Sequence, residues 1–321
     1  MNSQGTLLGI LAVLGAAALW GTSGTAATFA PDVGPLAMGA AALGFGGMLQ
    51  ALIALPALYH ARTELRAHFR IVLAGAVGVF IYPLAFYSSM HLAGVAVGTV
   101  VSLGSAPIAS GVLERVIEKR HLSRRWMLAA ALGIAGATTL CLSTMHNAPS
   151  QVAPTIAGIA LGLVAGSTYA LYSWSAHHLI GRTIGRAAGM GAIFGLGGLA
   201  LIPVLLATGA PLLSSTQSFT VGAYMALIPM SLGYLLFGYG LTRVNASSAT
   251  TLTLAEPAIA AILAVVIVGE RLALLGWVGI AAIGAALLVL SLGPATGESN
   301  RQSTHRPRTT NAKSSLQQQP Q

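Results

Sequence analysis

The sequence contains very little charge. Lys, Arg, Asp and Glu make up only 7% of its 321 residues, and its mean hydropathy is +0.77. Soluble globular domains carry about 25% charged residues, so this composition cannot supply a water-facing surface. Lipid is the predicted solvent, and it admits only helices and closed barrels because it offers backbone groups no hydrogen-bond partner. The apolar runs are continuous rather than alternating, which predicts an all-α integral membrane protein.

Signals for several other chemistries are also missing. Cys141 is the single cysteine, so no intrachain disulfide is possible and a catalytic thiol has no support. The sequence has no Walker-type loop, so any transport is predicted to run on gradients. We predict no cofactor, and no metal site either, because His177 and His178 have no third ligand nearby.

Ten stretches have the length of about 20 apolar residues that a membrane-spanning helix needs. Between them they contain a single Asp, Glu, Lys or Arg, which is Glu256. The predicted spans are Thr6–Phe29, Gly34–Tyr59, Ile71–Met90, Ala93–Leu113, Trp126–Ser143, Thr155–Ala176, Ala187–Ala207, Ser218–Thr242, Ala246–Val268 and Leu272–Gly293.

The distribution of cations predicts the orientation, because cytoplasmic loops hold the excess of Lys and Arg. With both termini inside the cell, Arg271 alone of the 16 Lys and Arg residues lies on the external side. The net charge of +9 is therefore interpreted as a topology signal, with membrane lipid as its partner and no nucleic acid. The other 15 are Arg62, Arg66, Arg70, Arg115, Lys119, Arg120, Arg124, Arg125, Arg182, Arg186, Arg243, Arg301, Arg306, Arg308 and Lys313.

The chain also repeats itself at a nearly constant interval. Five landmarks recur after 149, 147, 146, 150 and 151 residues. The pairs are Trp20 and Tyr169, Pro56 and Pro203, Pro83 and Pro229, Pro107 and Pro257, and Trp126 and Trp277. Because five helices is an odd number, the second copy enters from the opposite face of the membrane. We predict two inverted five-helix repeats, residues 1–150 and 151–293, followed by a disordered cytoplasmic tail, residues 294–321.

Two motifs suggest a family. Ala255-Glu256-Pro257 is followed by Gly269-Glu270-Arg271-Leu272, and Gly9 precedes Trp20-Gly21. With these motifs the chain resembles the EamA-type, ten-helix members of the drug/metabolite transporter superfamily, over roughly Leu7 to Leu292. The resemblance implies export or uptake of metabolites such as amino acids, often by proton exchange.

The first copy departs from the family pattern. Ala106-Pro107 stands where the second copy has Glu256-Pro257, and Glu118-Lys119-Arg120 replaces the Gly-Glu-Arg triplet. An arginine that many members carry early in helix two is absent, since Ala40–Leu43 is apolar.

Glu256 is the first candidate for function. A charged residue at a helix centre costs about 2.5–3.5 kcal/mol on insertion scales, and such residues commonly mark substrate or proton paths. A carboxyl group that faces a pore is able to carry a proton or to bind a substrate ammonium group. The alternative is a structural glutamate that ties helix nine to its neighbour.

Aromatic and hydroxyl side chains form a second candidate set. Aromatic walls with a few hydrogen-bonding groups suit a small amphipathic ligand. Trp and Tyr near helix ends are alternatively interface anchors. The candidates are Trp20, Ser23, Tyr82, Tyr87, Ser102, Tyr169, Trp174, Tyr239 and Thr253.

Two prolines complete the predicted site. Pro107 and Pro257 each lack a backbone donor, which frees the carbonyl of Leu103 and Thr253 respectively and favours a bend in the helix. Matched positions favour a role in gating, although a plain kink is an open alternative.

A secondary transporter of the inner membrane is the favoured function, working by alternating access on a small molecule such as an amino acid. Export is preferred on the resemblance alone, and proton coupling is an option. The main alternative is a passive facilitator. An intramembrane enzyme is a remote one: Gly21-Thr22-Ser23-Gly24 matches a serine-protease spelling, but no helix interior holds the histidine that such a nucleophile needs. The sequence indicates no oligomeric state.

Overall fold

The computed structural model describes residues 3–144, 152–182, 184–263, 265–266 and 271–291. Over these ranges the chain is α-helical and contains no β-strand, which confirms the predicted all-α class. The predicted tail and the motif residues Gly269 and Glu270 lie outside the described residues.

Within the described ranges, ten helices are long and apolar enough to cross a membrane, as predicted. We number them in chain order. They are α1 Gln4–Ala27, α2 Pro35–Ile53, α3 Phe69–Ala93, α4 Val95–Ile117, α5 Arg124–Ser143, α6 Ala153–Ile180, α7 Arg186–Thr208, α8 Thr216–Leu241, α9 Ala246–Leu263 and α10 Leu274–Ser291.

Turn chemistry sets several helix boundaries. Pro35 occupies the first turn of α2, where a missing N–H costs nothing. Gly94 alone separates α3 from α4, with φ at +87°, a conformation that glycine adopts without strain. The predicted second span, Gly34–Tyr59, is divided: α2 ends at Ile53 and a short helix, Leu55–His60, begins with Pro56 in its first turn.

Two further predictions about the helices were wrong. The sequence predicts that the fourth span ends at Leu113, but α4 continues to Ile117 and includes Glu114, which is 2% exposed. Glu256 is therefore not the single acidic residue in the membrane-spanning helices. The ninth span is not one helix either, because Ala246–Leu252 and Ala255–Leu263 are separate segments with a turn at Thr253 and Leu254.

The helices pack in pairs. The most extensive packing joins α3 with α6, α2 with α7, and α5 with α10, and α4 also lies along α6. On the other side of the bundle, α1 packs against the second half of α8 and against α9. The largest cluster of buried apolar residues draws on α1 to α4 and on α6 to α9.

Glycines allow the closest of these crossings. At the crossing of α5 and α10, a methyl group added to Gly279 would lie 2.7 Å from the Gly136 carbonyl oxygen. One added to Gly136 would lie 2.8 Å from the Gly279 carbonyl oxygen. Small residues let membrane helices approach until their backbones touch, which replaces the hydrophobic driving force that lipid removes.

This crossing gives the first prediction. Gly279→Ala forces α5 and α10 apart, and we expect a loss of stability of about 1–3 kcal/mol, the usual cost of overpacking. Gly284→Ala is the matched control on the same helix, because its added methyl group meets none of the described atoms within 4 Å. Thermal unfolding of the detergent-solubilised protein measures both. Equal melting temperatures for the two variants would show that the crossing is loosely packed.

Candidate functional site

Helix α9 is interrupted immediately before Glu256. The Leu254 N–H donates to the Thr251 carbonyl at 3.2 Å, and the Glu256 N–H donates to the Thr253 carbonyl at 2.9 Å. Pro257 has no N–H to offer that carbonyl, so the predicted orphan at Thr253 is satisfied by a tighter turn instead. The interruption places Glu256 in the first turn of the second segment of α9.

Glu256 faces a small cavity in the middle of the bundle. Its side chain is only 8% exposed. The cavity has a volume of about 20 Å³ and lies between α1, α2, α3, α8 and α9. Its lining residues are Trp20, Ser23, Gly39, Ala42, Leu43, Tyr82, Pro83, Phe86, Tyr87, Met230, Tyr234 and Glu256. Five of the predicted site residues are thus brought together: Glu256, Trp20, Ser23, Tyr82 and Tyr87.

Aromatic rings form much of the wall. The ring centroids of Trp20 and Tyr234 are 4.8 Å apart, and Tyr82 stacks on Phe86 at 5.5 Å with an interplanar angle of 22°. The Tyr234 hydroxyl bonds the Tyr172 hydroxyl at 2.7 Å. Phe86 was missed from the sequence because it has no polar group to mark it.

Trp20 also holds a second irregular segment. Residues 226–232 of α8 form a π-helical turn around Pro229. The Trp20 Nε1–H donates to the Pro229 carbonyl oxygen at 2.8 Å, and the Ser231 hydroxyl donates to the Ala226 carbonyl oxygen at 2.7 Å. Wide turns of this kind are frequent at functional sites. The indole therefore both lines the cavity and supports the helix on its far side.

Two hydroxyl groups behave differently at this site. Tyr87 is 7% exposed, and its hydroxyl has no hydrogen-bond partner among the described residues. The Ser23 hydroxyl, by contrast, donates back to the Trp20 carbonyl at 2.6 Å. Buried polar groups are nearly always paired, so an unpaired hydroxyl on a cavity wall is a position where a ligand can bond.

Tyr169 and Thr253 support the interruption rather than line the cavity. The Tyr169 hydroxyl donates to the Thr253 Oγ1 at 3.0 Å, and Thr253 donates onward to the Thr250 carbonyl at 2.9 Å. The Tyr169 ring also packs edge-on against Trp20 with centroids 6.3 Å apart. These contacts fix the end of the first α9 segment relative to α1 and α6.

The other predicted residues lie away from the cavity. Ser102 is fully buried in α4, and its hydroxyl has no partner in the described part of the chain. Trp174 donates its Nε1–H to Glu118 at 2.9 Å, and the Arg243 guanidinium stacks on the Tyr239 ring at 4.2 Å.

The two prolines also differ. Pro107 lies inside an uninterrupted α4, whereas Pro257 follows the break in α9. The two prolines thus sit in different backbone settings.

Glu114 is a functional candidate that the sequence reasoning missed. Its carboxylate accepts the Ser247 N–H at 2.8 Å and the Ser247 hydroxyl at 2.9 Å, at the first turn of α9. A carboxylate at a helix N-terminus is favoured because the N–H groups there have no partner within the helix. Glu114 follows Pro107 by seven residues, which is two turns of a helix, so both residues lie on the same helix face. This spacing was the signal in the sequence that could have identified Glu114 as a candidate.

The Glu114 contact gives the second prediction. Glu114→Ala leaves the Ser247 N–H without its acceptor, so we expect a loss of about 1–3 kcal/mol in stability. Glu114→Gln keeps one acceptor oxygen and should lose less. Thermal unfolding in detergent measures the effect, with exposed Glu64→Ala as the matched control. A melting temperature of Glu114→Ala equal to that of the control would contradict the role in holding α9.

A larger cavity lies at one end of α1. Its volume is about 640 Å³, and it is bounded by Thr22, Thr25, Phe29, Gln217 and Tyr224 among others. The Thr22 and Tyr224 hydroxyls are bonded at 2.6 Å, which joins α1 to α8 at its floor.

Comparison with known proteins adds independent information. The EamA-like transporter family matches residues 7–142 and 156–292 of this chain. The "Uncharacterized transporter YwfM" of Bacillus subtilis is 35% identical over 288 residues, covering 88% of this chain and 94% of that protein.

Two more distant matches differ in what they show. The "Probable terminal-alkyne amino-acid exporter" of Streptantibioticus cattleyicolor is 23% identical over 202 residues, covering 62% of this chain and 65% of that protein. A chain in a solved crystal structure has a TM-score of 0.72 at 18% identity, covering 90% of this chain and 96% of that one. The latter likeness concerns the fold alone.

Proposed function

Because the chain belongs to the EamA-like transporter family, we propose that this multi-pass membrane transporter is a secondary transporter of a small metabolite, an amino acid or a related compound. The observation that carries the proposal is Glu256. It is a buried carboxyl group beside an interrupted helix, facing a cavity enclosed by helices from both halves of the chain. Interrupted helices at a central site are typical of secondary transporters.

Alternating access by two inverted repeats is the proposed mechanism. In the proposed repeat, each of the helices α1 to α5 corresponds to the helix five places later, α6 to α10. Under this correspondence the pair α1 and α8 becomes the pair α6 and α3, and the pair α1 and α9 becomes the pair α6 and α4. Both members of each exchange are packed pairs, while α2 with α7 and α5 with α10 each exchange into themselves. The two separate family matches support the same duplication. A symmetric bundle offers two equivalent closures, one for each face of the membrane.

Glu256 is the proposed coupling group. A buried carboxyl is stable when it carries either a proton or a bound ammonium group, and the two exclude each other. The other titratable groups on the cavity wall are the phenols of Tyr82, Tyr87 and Tyr234. Export is the proposed direction, supported by the name of the S. cattleyicolor relative. The inner membrane is the proposed location, supported by the name of a Salmonella typhimurium relative that is 24% identical, "Uncharacterized inner membrane transporter YicL".

Transport into proteoliposomes tests the coupling. We expect uptake of labelled amino acids to require an imposed proton gradient in the wild type and to lose that dependence in Glu256→Gln, because the amide cannot bind a proton. Glu64→Gln, at an exposed position, is the control and should behave as wild type. Gradient-independent flux that Glu256→Gln leaves unchanged would favour a passive facilitator with a structural glutamate.

The orientation is a separate proposal, with both termini in the cytoplasm. In a Cys141→Ser background, we expect Ser214→Cys to react with a membrane-impermeant maleimide on intact spheroplasts. We expect Thr63→Cys to react only after lysis. Both positions are exposed, and they lie at opposite ends of the bundle. The reverse labelling pattern would place both termini outside.

A further inference from the structure

We propose that the cavity at Glu256 is an ammonium-recognition site, which binds the protonated amine of a substrate and does not recognise a carboxylate. The inference rests on the proposed transport function, since it concerns the substrate of that site. It makes a separate claim, because a transporter of zwitterions would need a cationic partner for the substrate carboxylate as well.

The charge of the wall is the first argument. Glu256 is the one charged side chain among the described residues that line the cavity, and none of them is Lys, Arg or His. A substrate carboxylate placed here would be a buried negative charge next to another, with no cation to offset its loss of hydration. Arg186 and Arg243 do not line the cavity either, and both stack on Tyr239, which is also absent from its lining.

The rings supply the second argument. An ammonium group over the face of Trp, Tyr or Phe is attracted by the negative charge density of the ring, and the attraction is stronger once water is excluded. Trp20, Tyr82, Phe86 and Tyr234 surround the same small volume as the Glu256 carboxyl. An aromatic enclosure that contains a single carboxylate matches a cation and repels an anion.

The third argument combines size with hydrogen bonding. A volume of about 20 Å³ has room for one group the size of a water molecule, and an ammonium head has that size. Such a head has three N–H donors. The Glu256 carboxylate accepts from one, and the Tyr87 hydroxyl, which lacks a partner among the described residues, accepts from another. The site as it stands therefore holds the head of a substrate, and its body requires the helices to separate.

Matched ligand series test the inference on the purified full-length protein. Each series keeps one side chain and varies its charged groups: phenylethylamine, phenylalanine and 3-phenylpropionate, and then isoamylamine, leucine and 4-methylpentanoate. Binding is measured by isothermal titration calorimetry at pH 7. In at least one series we expect the amine to bind as tightly as the amino acid or more tightly, and the acid not to bind.

Variants assign the binding to the cavity. Glu256→Gln should weaken amine binding about tenfold or more, because it removes a charge-assisted hydrogen bond. Tyr87→Phe should weaken it about two- to tenfold, the effect of one neutral hydrogen bond. Tyr59→Phe, at an exposed tyrosine outside the cavity, is the matched control and should bind as wild type.

Two results would overturn the inference. One is tight binding of a carboxylate: an amino acid that binds about tenfold more tightly than its amine, or an acid that competes with the amine. Either finding shows that the site recognises the carboxylate. The other is the absence of amine binding in both series. Neither result decides the transport function, because proton-dependent, Glu256-dependent uptake of an amino acid in proteoliposomes would still support it.

Discussion

A backbone group inside a membrane has no water to bond, so every break in a helix must be repaired by the protein itself. Among the described residues, two such breaks lie near the centre of the bundle, at Pro229 in α8 and at Thr253 and Leu254 in α9. The Trp20 indole bonds the first, and the Glu256 N–H closes the second. Trp20 and Glu256 also line the cavity, so the same residues form the site and stabilise the two breaks.

The helices of the two halves form similar packed pairs, but the two halves contribute different features to the site. Both of these breaks fall in the second half, whereas α3 and α4 continue through Pro83 and Pro107. The first half supplies Trp20 to α8, and Glu114 to the N-terminus of α9. The uninterrupted helices α1 and α4 therefore hold irregular or terminal parts of α8 and α9 in position.

The sequence was sufficient for the architecture, because lipid demands long apolar helices and hydropathy measures that demand directly. The family resemblance drawn from the Glu-Pro and Gly-Glu-Arg motifs is confirmed by matches in both halves. Glu256 was identifiable because a charge in lipid is costly and therefore rare. Glu114 was not, since hydropathy ended α4 four residues early and assigned the glutamate to a loop.

The residue types also did not reveal how deep in the membrane each candidate side chain lies. Trp174 and Tyr87 were equally plausible as site residues, yet one bonds Glu118 at the end of α4 and the other lines the cavity. A hydropathy pattern defines the helices but not the rotation or the height at which they meet. Phe86 is the opposite case, a cavity residue that the sequence did not indicate. A phenylalanine on a cavity wall cannot be distinguished by sequence from a phenylalanine in the core.

The closed cavity has a consequence for the transport cycle. About 20 Å³ cannot hold a whole metabolite, so the proposed function requires the helices around Glu256 to separate before a substrate enters. At one end, the Thr22 and Tyr224 hydroxyls join α1 to α8, and at the other the Glu114 carboxylate joins α4 to α9. A neutral hydrogen bond contributes about 0.5–1.5 kcal/mol and one to a charged group about 1.5–3. Closures of this size are small enough for a bound substrate to reverse, because a few kcal/mol of differential affinity shifts a two-state equilibrium by orders of magnitude.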